Sequence, residues 1–221
     1  MTPEDRQVIY DLVFIPGRGR KASPEDVLRH FGTTDGHALG LRLLRDAADR
    51  EDGIDADAAL MVCHVFDMTE DHLELLVQLA PADWHREHEE VASALESLHL
   101  PAAVDALYHL TQWVPGYLAW DEDRGLARKA VWGLSRTPGP EAEQALRLLL
   151  DDPDEHVRAY AAKRQSRRDQ SLVPIAIVIL IAGCGHAFYM QKTSGWVRSD
   201  VKPVSSPVLA GHRNNSRRHQ T

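Results

Sequence analysis

The residues in this sequence best suited to chemistry are His85, His88 and Glu89, within Asp83-Trp84-His85-Arg86-Glu87-His88-Glu89-Glu90. On a continuous helix, positions i, i+3 and i+4 share one face, so the three would offer two imidazole nitrogens and a carboxylate to zinc or iron. The neighbouring reading is a solvated or hydrogen-bonded helix start capped by Asp83 or a residue beside it. Nucleophilic chemistry has less to stand on. The chain lacks G-x-S-x-G, a P-loop, GxGxxG and any zinc-spaced cysteine pair. Cys63 lies in the apolar run Ala58–Phe66, where a small buried hydrophobe is expected. No cofactor is expected.

A second group of residues points to recognition. From Trp113 to Arg124 the chain carries Trp113, Tyr117 and Trp120 around a Pro115-Gly116 turn, then three consecutive acids, Asp121, Glu122 and Asp123. Aromatics beside a patch of one charge sign make interface hot spots. The competing reading has the rings fill gaps between helices, Trp120 and Trp132 above all, while the acids solvate a loop. Charge elsewhere favours a basic partner. Residues 1–160 hold 31 acids and 15 bases, whereas residues 161–221 hold 2 acids and 10 bases. An acidic domain steers basic proteins toward itself and gives no reason to expect nucleic acid.

The elements that must position these residues read as helices. Thr2-Pro3-Glu4-Asp5 and Ser23-Pro24-Glu25-Asp26 each join a hydroxyl N-cap, a proline at the first helical position and acids in the first turn. Ile15-Pro16-Gly17-Arg18-Gly19 reads as a turn between them. The β-prone runs Leu12–Phe14 and Met61–Phe66 sit inside longer helical patterns. Alanine followed by a small or apolar residue recurs at Ala59, Ala94, Ala130 and Ala161, in steps of 35, 36 and 31 residues. Leucine-rich segments alternate with these, beginning at Leu73, Leu107 and Leu146. Two helix types alternating at such spacing describe stacked antiparallel pairs, since one pair cannot bury its apolar face alone.

The stretch Ala145 to Ala162, with its Asp152-Pro153-Asp154 turn followed by Val157-Arg158, resembles a HEAT repeat of the phycobilisome-lyase type. Asp83–Glu90 and the segment onward to Leu134 are similar to an uncharacterised group of bacterial HEAT-repeat proteins. The resemblance covers about residues 23–165. It implies an all-α fold: a right-handed α-solenoid of about four helix pairs over residues 1–165. Function is less constrained, because such arrays serve as scaffolds, inhibitors and, in some cases, enzymes. In HEAT-repeat deoxyhypusine hydroxylases, His-Glu pairs opening several helices bind two irons, and His88-Glu89 resembles one such pair. The equivalent starts here, Leu126-Ala127 and Val157-Arg158, lack it.

Leu172 to Met190 contains no formally charged residue. As a helix it would extend about 28 Å, near the roughly 30 Å hydrocarbon core of a bilayer. Lys163, Arg164, Arg167 and Arg168 before it favour a cytosolic N-terminal side. The expectation is one C-terminal transmembrane helix over 172–190 and a disordered basic tail over 191–221. Three other readings stand beside it: a buried last helix, a lipoprotein-like box at Ile181–Cys184, and an appended segment after Lys163. Met1 to Arg6 opens an amphipathic helix rather than a secretory signal. The expected protein is therefore a non-enzymatic scaffold or inhibitor, possible in an immunity-type version. It would be cytoplasmic and anchored to the inner membrane, and would use Trp113, Tyr117, Trp120, Asp121, Glu122 and Asp123 on a basic protein. A metal-dependent hydroxylase or hydrolase using His85, His88 and Glu89 is the alternative.

Overall fold

The computed structural model describes residues 1–13, 17 and 19–166. The expected transmembrane span over 172–190, the tail over 191–221, Cys184 and most of the Ile15–Gly19 turn lie outside the described residues. Among the described residues the regular secondary structure is helical, with no strand, so this part of the chain is all-α. The helices are α1 (Pro3–Tyr10), α2 (Pro24–His30), α3 (Gly36–Asp49), α4 (Gly53–Val65), α5 (Leu73–Leu79), α6 (His88–Leu98), α7 (Val104–Gln112), α8 (Gly125–Arg136) and α9 (Pro140–Leu148). The tenth, α10, covers residues 155–166. No helix among the described residues is long and apolar enough to cross a membrane.

Helix starts follow from local chemistry. Thr2 and Asp5 form a reciprocal capping box on α1, as Ser23 and Asp26 do on α2. Asp35 accepts from the Ala38 N–H at 2.9 Å, and Asp52 from the Asp55 N–H at 3.0 Å, closing the first turns of α3 and α4. Each bond satisfies a backbone donor that the helix leaves unpaired. The β-prone Met61–Val65 is helical within α4, where Val62 and Cys63 are buried while Val65 stays exposed.

The two sequence classes separate onto alternate helices. Ala59, Ala94, Ala130 and Ala161 lie fully buried on α4, α6, α8 and α10. The leucine segments occupy α5, α7 and α9 with their flanking 3₁₀ turn. Neighbours pack in sequence order: α3 on α4, α5 on α6, α7 on α8 and α8 on α9. Next-but-one packing joins α3 to α5, α6 to α8 and α7 to α9. Small residues set how closely helices approach. At Gly40 of α3, an added Cβ would sit 3.0 Å from Cys63 Sγ and 3.3 Å from Cys63 Cα of α4. At Gly36, one turn earlier, it would enter the Phe66 ring at 2.2 Å. Cys63 is itself buried, as expected, and burial pushes its thiol up to about 12.

A buried charge ties the first helix to α4. Asp55, fully buried, accepts from the Met1 amine, from Arg6 at 2.7 Å and from Arg50 at 2.6 Å. Burial alone would raise its carboxyl; the amine, Arg50 and Arg6 reverse that and hold it at about 2.

Candidate functional site

The turn from α5 into α6 does not build the single helical face that the alternative, metal-binding reading needs. α6 begins at His88, so His85 sits before the helix rather than one turn along it. Neither Asp83 nor a neighbour caps it by side chain; the N-cap is Glu87, without a side-chain bond. Both imidazoles are buried and stacked, with ring centroids 4.2 Å apart. His85 Nε2 faces the Leu79 carbonyl at 2.8 Å, and its Nδ1 accepts from the Glu87 N–H at 3.0 Å. His88 Nε2 faces the Ala82 carbonyl at 2.8 Å, and its Nδ1 faces the Tyr117 hydroxyl at 3.0 Å. A carbonyl only accepts, so each Nε2 carries the hydrogen, and the Tyr117 hydroxyl donates to His88.

The third residue of that alternative ligand set, Glu89, lies 3.3 Å from Lys129 Nζ. All four imidazole nitrogens are therefore engaged with protein partners. Among the described residues no group of three His, Cys, Asp or Glu side chains could hold a metal. The histidines instead stitch the carbonyl end of α5 to the start of α6, satisfying acceptors that the end of a helix exposes. Burial, then the adjacent His85 and His109, lower His88 to about 4, and burial also lowers His85. Neutral rings suit this arrangement, since an imidazolium at His88 could not accept from Tyr117.

Two clefts open on either side of this turn. The first, about 580 Å³, is lined by Tyr10 of α1, Arg50 to Ile54 and Asp57 around the start of α4, and Trp84 to Glu87. Its floor is tight: a Cβ at Gly53 would lie 2.9 Å from the Trp84 carbonyl oxygen. The second, about 350 Å³, runs between Asp83–Arg86 and His88 on one side and Trp113 and Pro115–Tyr117 on the other. Trp113 meets the His88 ring edge-on at 4.6 Å, and the Arg86 guanidinium lies 5.9 Å from the centre of the Tyr117 ring. Trp113 and Tyr117 thus pack against the histidine pair, each half-buried.

Beyond Tyr117 the chain turns outward. Trp120 is 77% exposed, which goes against the competing reading in which it fills an inter-helix gap. Its loop is nevertheless anchored at both ends. The Asp121 carboxylate accepts from the Gly125 N–H at 2.6 Å and so closes the start of α8. Arg124, in the left-handed region at φ 51°, pairs with Asp154 and donates to the Thr111 carbonyl at 3.0 Å. The Tyr160 hydroxyl donates to the Asp123 carbonyl. Glu122 and Asp123 are exposed, and their carboxylates have no ion-pair partner among the described residues. Of the three consecutive acids, two face solvent and one serves the fold. Trp132 stands apart, half-buried, with the Arg164 guanidinium 3.7 Å from its ring centre.

Sequence reasoning missed the first cleft. Tyr10, Asp57 and Glu87 lie far apart in the chain, and no spacing joins them. Asp55 left a fainter trace, as an acid within an alanine-rich helix whose start already had a cap in Asp52. The chain matches no protein-family model, no curated protein and no solved structure.

Proposed function

We propose that this protein is a non-enzymatic protein-interaction module whose acidic, aromatic-bearing loop docks a basic protein partner. The observation that carries the reading is Trp120, 77% exposed beside the unpaired Glu122 and Asp123 on a loop pinned by Asp121 and Arg124. An exposed indole offers a large amphipathic face that a partner can cover, and pinning the loop reduces the ordering entropy that binding must overcome. Tyr117 and Trp113 extend the same surface toward the second cleft.

The proposed scaffold is a HEAT-like α-solenoid of four helix pairs: α3/α4, α5/α6, α7/α8 and α9/α10. Alternation of the alanine and leucine helices, and packing between next-but-one helices, support it. The proposal keeps this module on the cytoplasmic side of an inner membrane, held by an anchor over residues 172–190. Lysate fractionation tests the anchor: full-length protein that remains in the soluble fraction after ultracentrifugation removes it.

The binding reading is tested by capture from a lysate of the source cells with the wild type and with Trp120→Ala/Glu122→Lys/Asp123→Lys. Loss of two hot-spot classes should lower capture of a basic protein by about thirtyfold or more, corresponding to at least ~2 kcal/mol. Unchanged capture overturns the proposal. Asp121 is left intact in this design because its loss would also free the start of α8.

A further inference from the structure

The first cleft differs from the Trp120 loop in location and in chemistry. It is an open cleft of about 580 Å³ between α1, the start of α4 and the 84–87 turn. Among its lining residues, Tyr10 and Trp84 are half-buried aromatics, and Asp57 and Glu87 are half-buried acids. Glu87 has no ion-pair partner among the described residues, and burial followed by the charges of Asp57 and Glu90 pushes its carboxyl upward. The Tyr10 phenol lies near Asp57, and burial followed by that carboxylate raises it to about 12. These are carboxylates crowded together without a cation of their own.

The two arginines on the rim do not neutralise them. Arg50 is spent on Asp46 at 2.7 Å, Asp52 at 3.0 Å and Asp55 at 2.6 Å. Arg86 is exposed, and its guanidinium reaches toward the Tyr117 ring beside the second cleft. The metal explanation has no ligand set among the described residues.

We propose that this cleft receives the guanidinium of an arginine side chain from the basic partner, with Asp57 and Glu87 as acceptors and Trp84 and Tyr10 as its aromatic wall. A guanidinium suits the lining better than an ammonium. Its planar fork can serve two carboxylates at once, its faces stack on aromatic rings, and its weak hydration lowers the penalty of leaving water. Charge complementarity selects a protein source, since residues 1–160 carry 31 acids against 15 bases. The inference rests on the proposed interaction function for the identity of the partner, but the cleft's preference for guanidinium can be measured alone.

The test uses the full-length chain labelled with 5-fluorotryptophan in neutral detergent, with the Trp84 resonance assigned through Trp84→Phe. N-acetylarginine amide is titrated in, and N-acetylcitrulline amide serves as its uncharged isostere. The Trp84 resonance should shift saturably with the arginine probe, at about tenfold lower concentration than with citrulline, as expected for a charge-assisted hydrogen bond. Glu87→Gln and Asp57→Asn should each weaken the arginine response by about fivefold or more, while the Trp120 resonance stays still. Equal responses to arginine and citrulline, no saturable response, or unchanged affinity in both variants would overturn the assignment. The citrulline comparison is made on wild-type protein, so it decides the matter even if a variant misfolds. Partner capture that depends on Trp120 while the arginine probe fails removes the cleft alone; the converse removes the loop alone.

Discussion

His88 shows how a residue that looks catalytic can be structural. Its imidazole is fully buried, donates to the Ala82 carbonyl and accepts from Tyr117, which requires the neutral form. Its folded pKa is about 4, below the ordinary value of 6.5, so between these limits the unfolded chain holds the extra proton. Stability is therefore complete above about pH 6.5 and falls as pH drops toward 4, by up to ~1.4 kcal/mol per pH unit from this group. Urea unfolding at pH 7.0, 6.0 and 5.0 should show that decline, and His88→Gln should make it shallower, the remainder coming from the buried His85 and His72. Trp120 is the opposite case. At 77% exposure, Trp120→Ala should change the unfolding free energy by less than about 0.5 kcal/mol, as thermal melting can show, while partner capture falls.

The pairing of α3 with α4 depends on what is absent from a side chain. Gly40 faces Cys63 at a distance that leaves no room for a branched residue. Gly40→Leu should separate the two helices and destabilise the protein by about 3 kcal/mol, measured by chemical denaturation. Helix boundaries were largely legible beforehand where polar caps are local: Thr2, Ser23 and the Asp152-Pro153-Asp154 turn all stand where their short-range bonds place them. The start of α6 was not legible. His85 looks like a first-turn residue by spacing, but its bond to the Leu79 carbonyl holds it in the preceding turn. That bond depends on where α5 ends relative to α6, which spacing does not encode.

At the scale of the whole molecule, the acidity of residues 1–160 acts at a distance that no single contact does. If a basic partner is drawn in by this field, association should slow with salt, because screening shortens from about 30 Å at 0.01 M to about 8 Å at 0.15 M. Stopped-flow or surface-plasmon on-rates should fall by about tenfold or more across that range, while dissociation changes less. An on-rate insensitive to salt would separate recognition from net charge.

What the sequence by itself determined was the all-helical character of the described residues, the alternation of alanine-rich and leucine-rich helices, the caps at Thr2 and Ser23, and the acidity. Each of these follows from interactions within a turn or two of helix, or from a simple sum of charges. Only the tertiary structure decided that Asp121 serves the backbone while Glu122 and Asp123 face water, that Trp120 is bare, and that the histidines bind carbonyls. It also decided that Tyr10, Asp57, Trp84 and Glu87 share a cleft. The physical reason is that burial and hydrogen-bond partnership belong to pairs of residues brought together by packing between helices. Residue types repeated along a chain record which faces must be covered, but not which side chain finds which acceptor once they are.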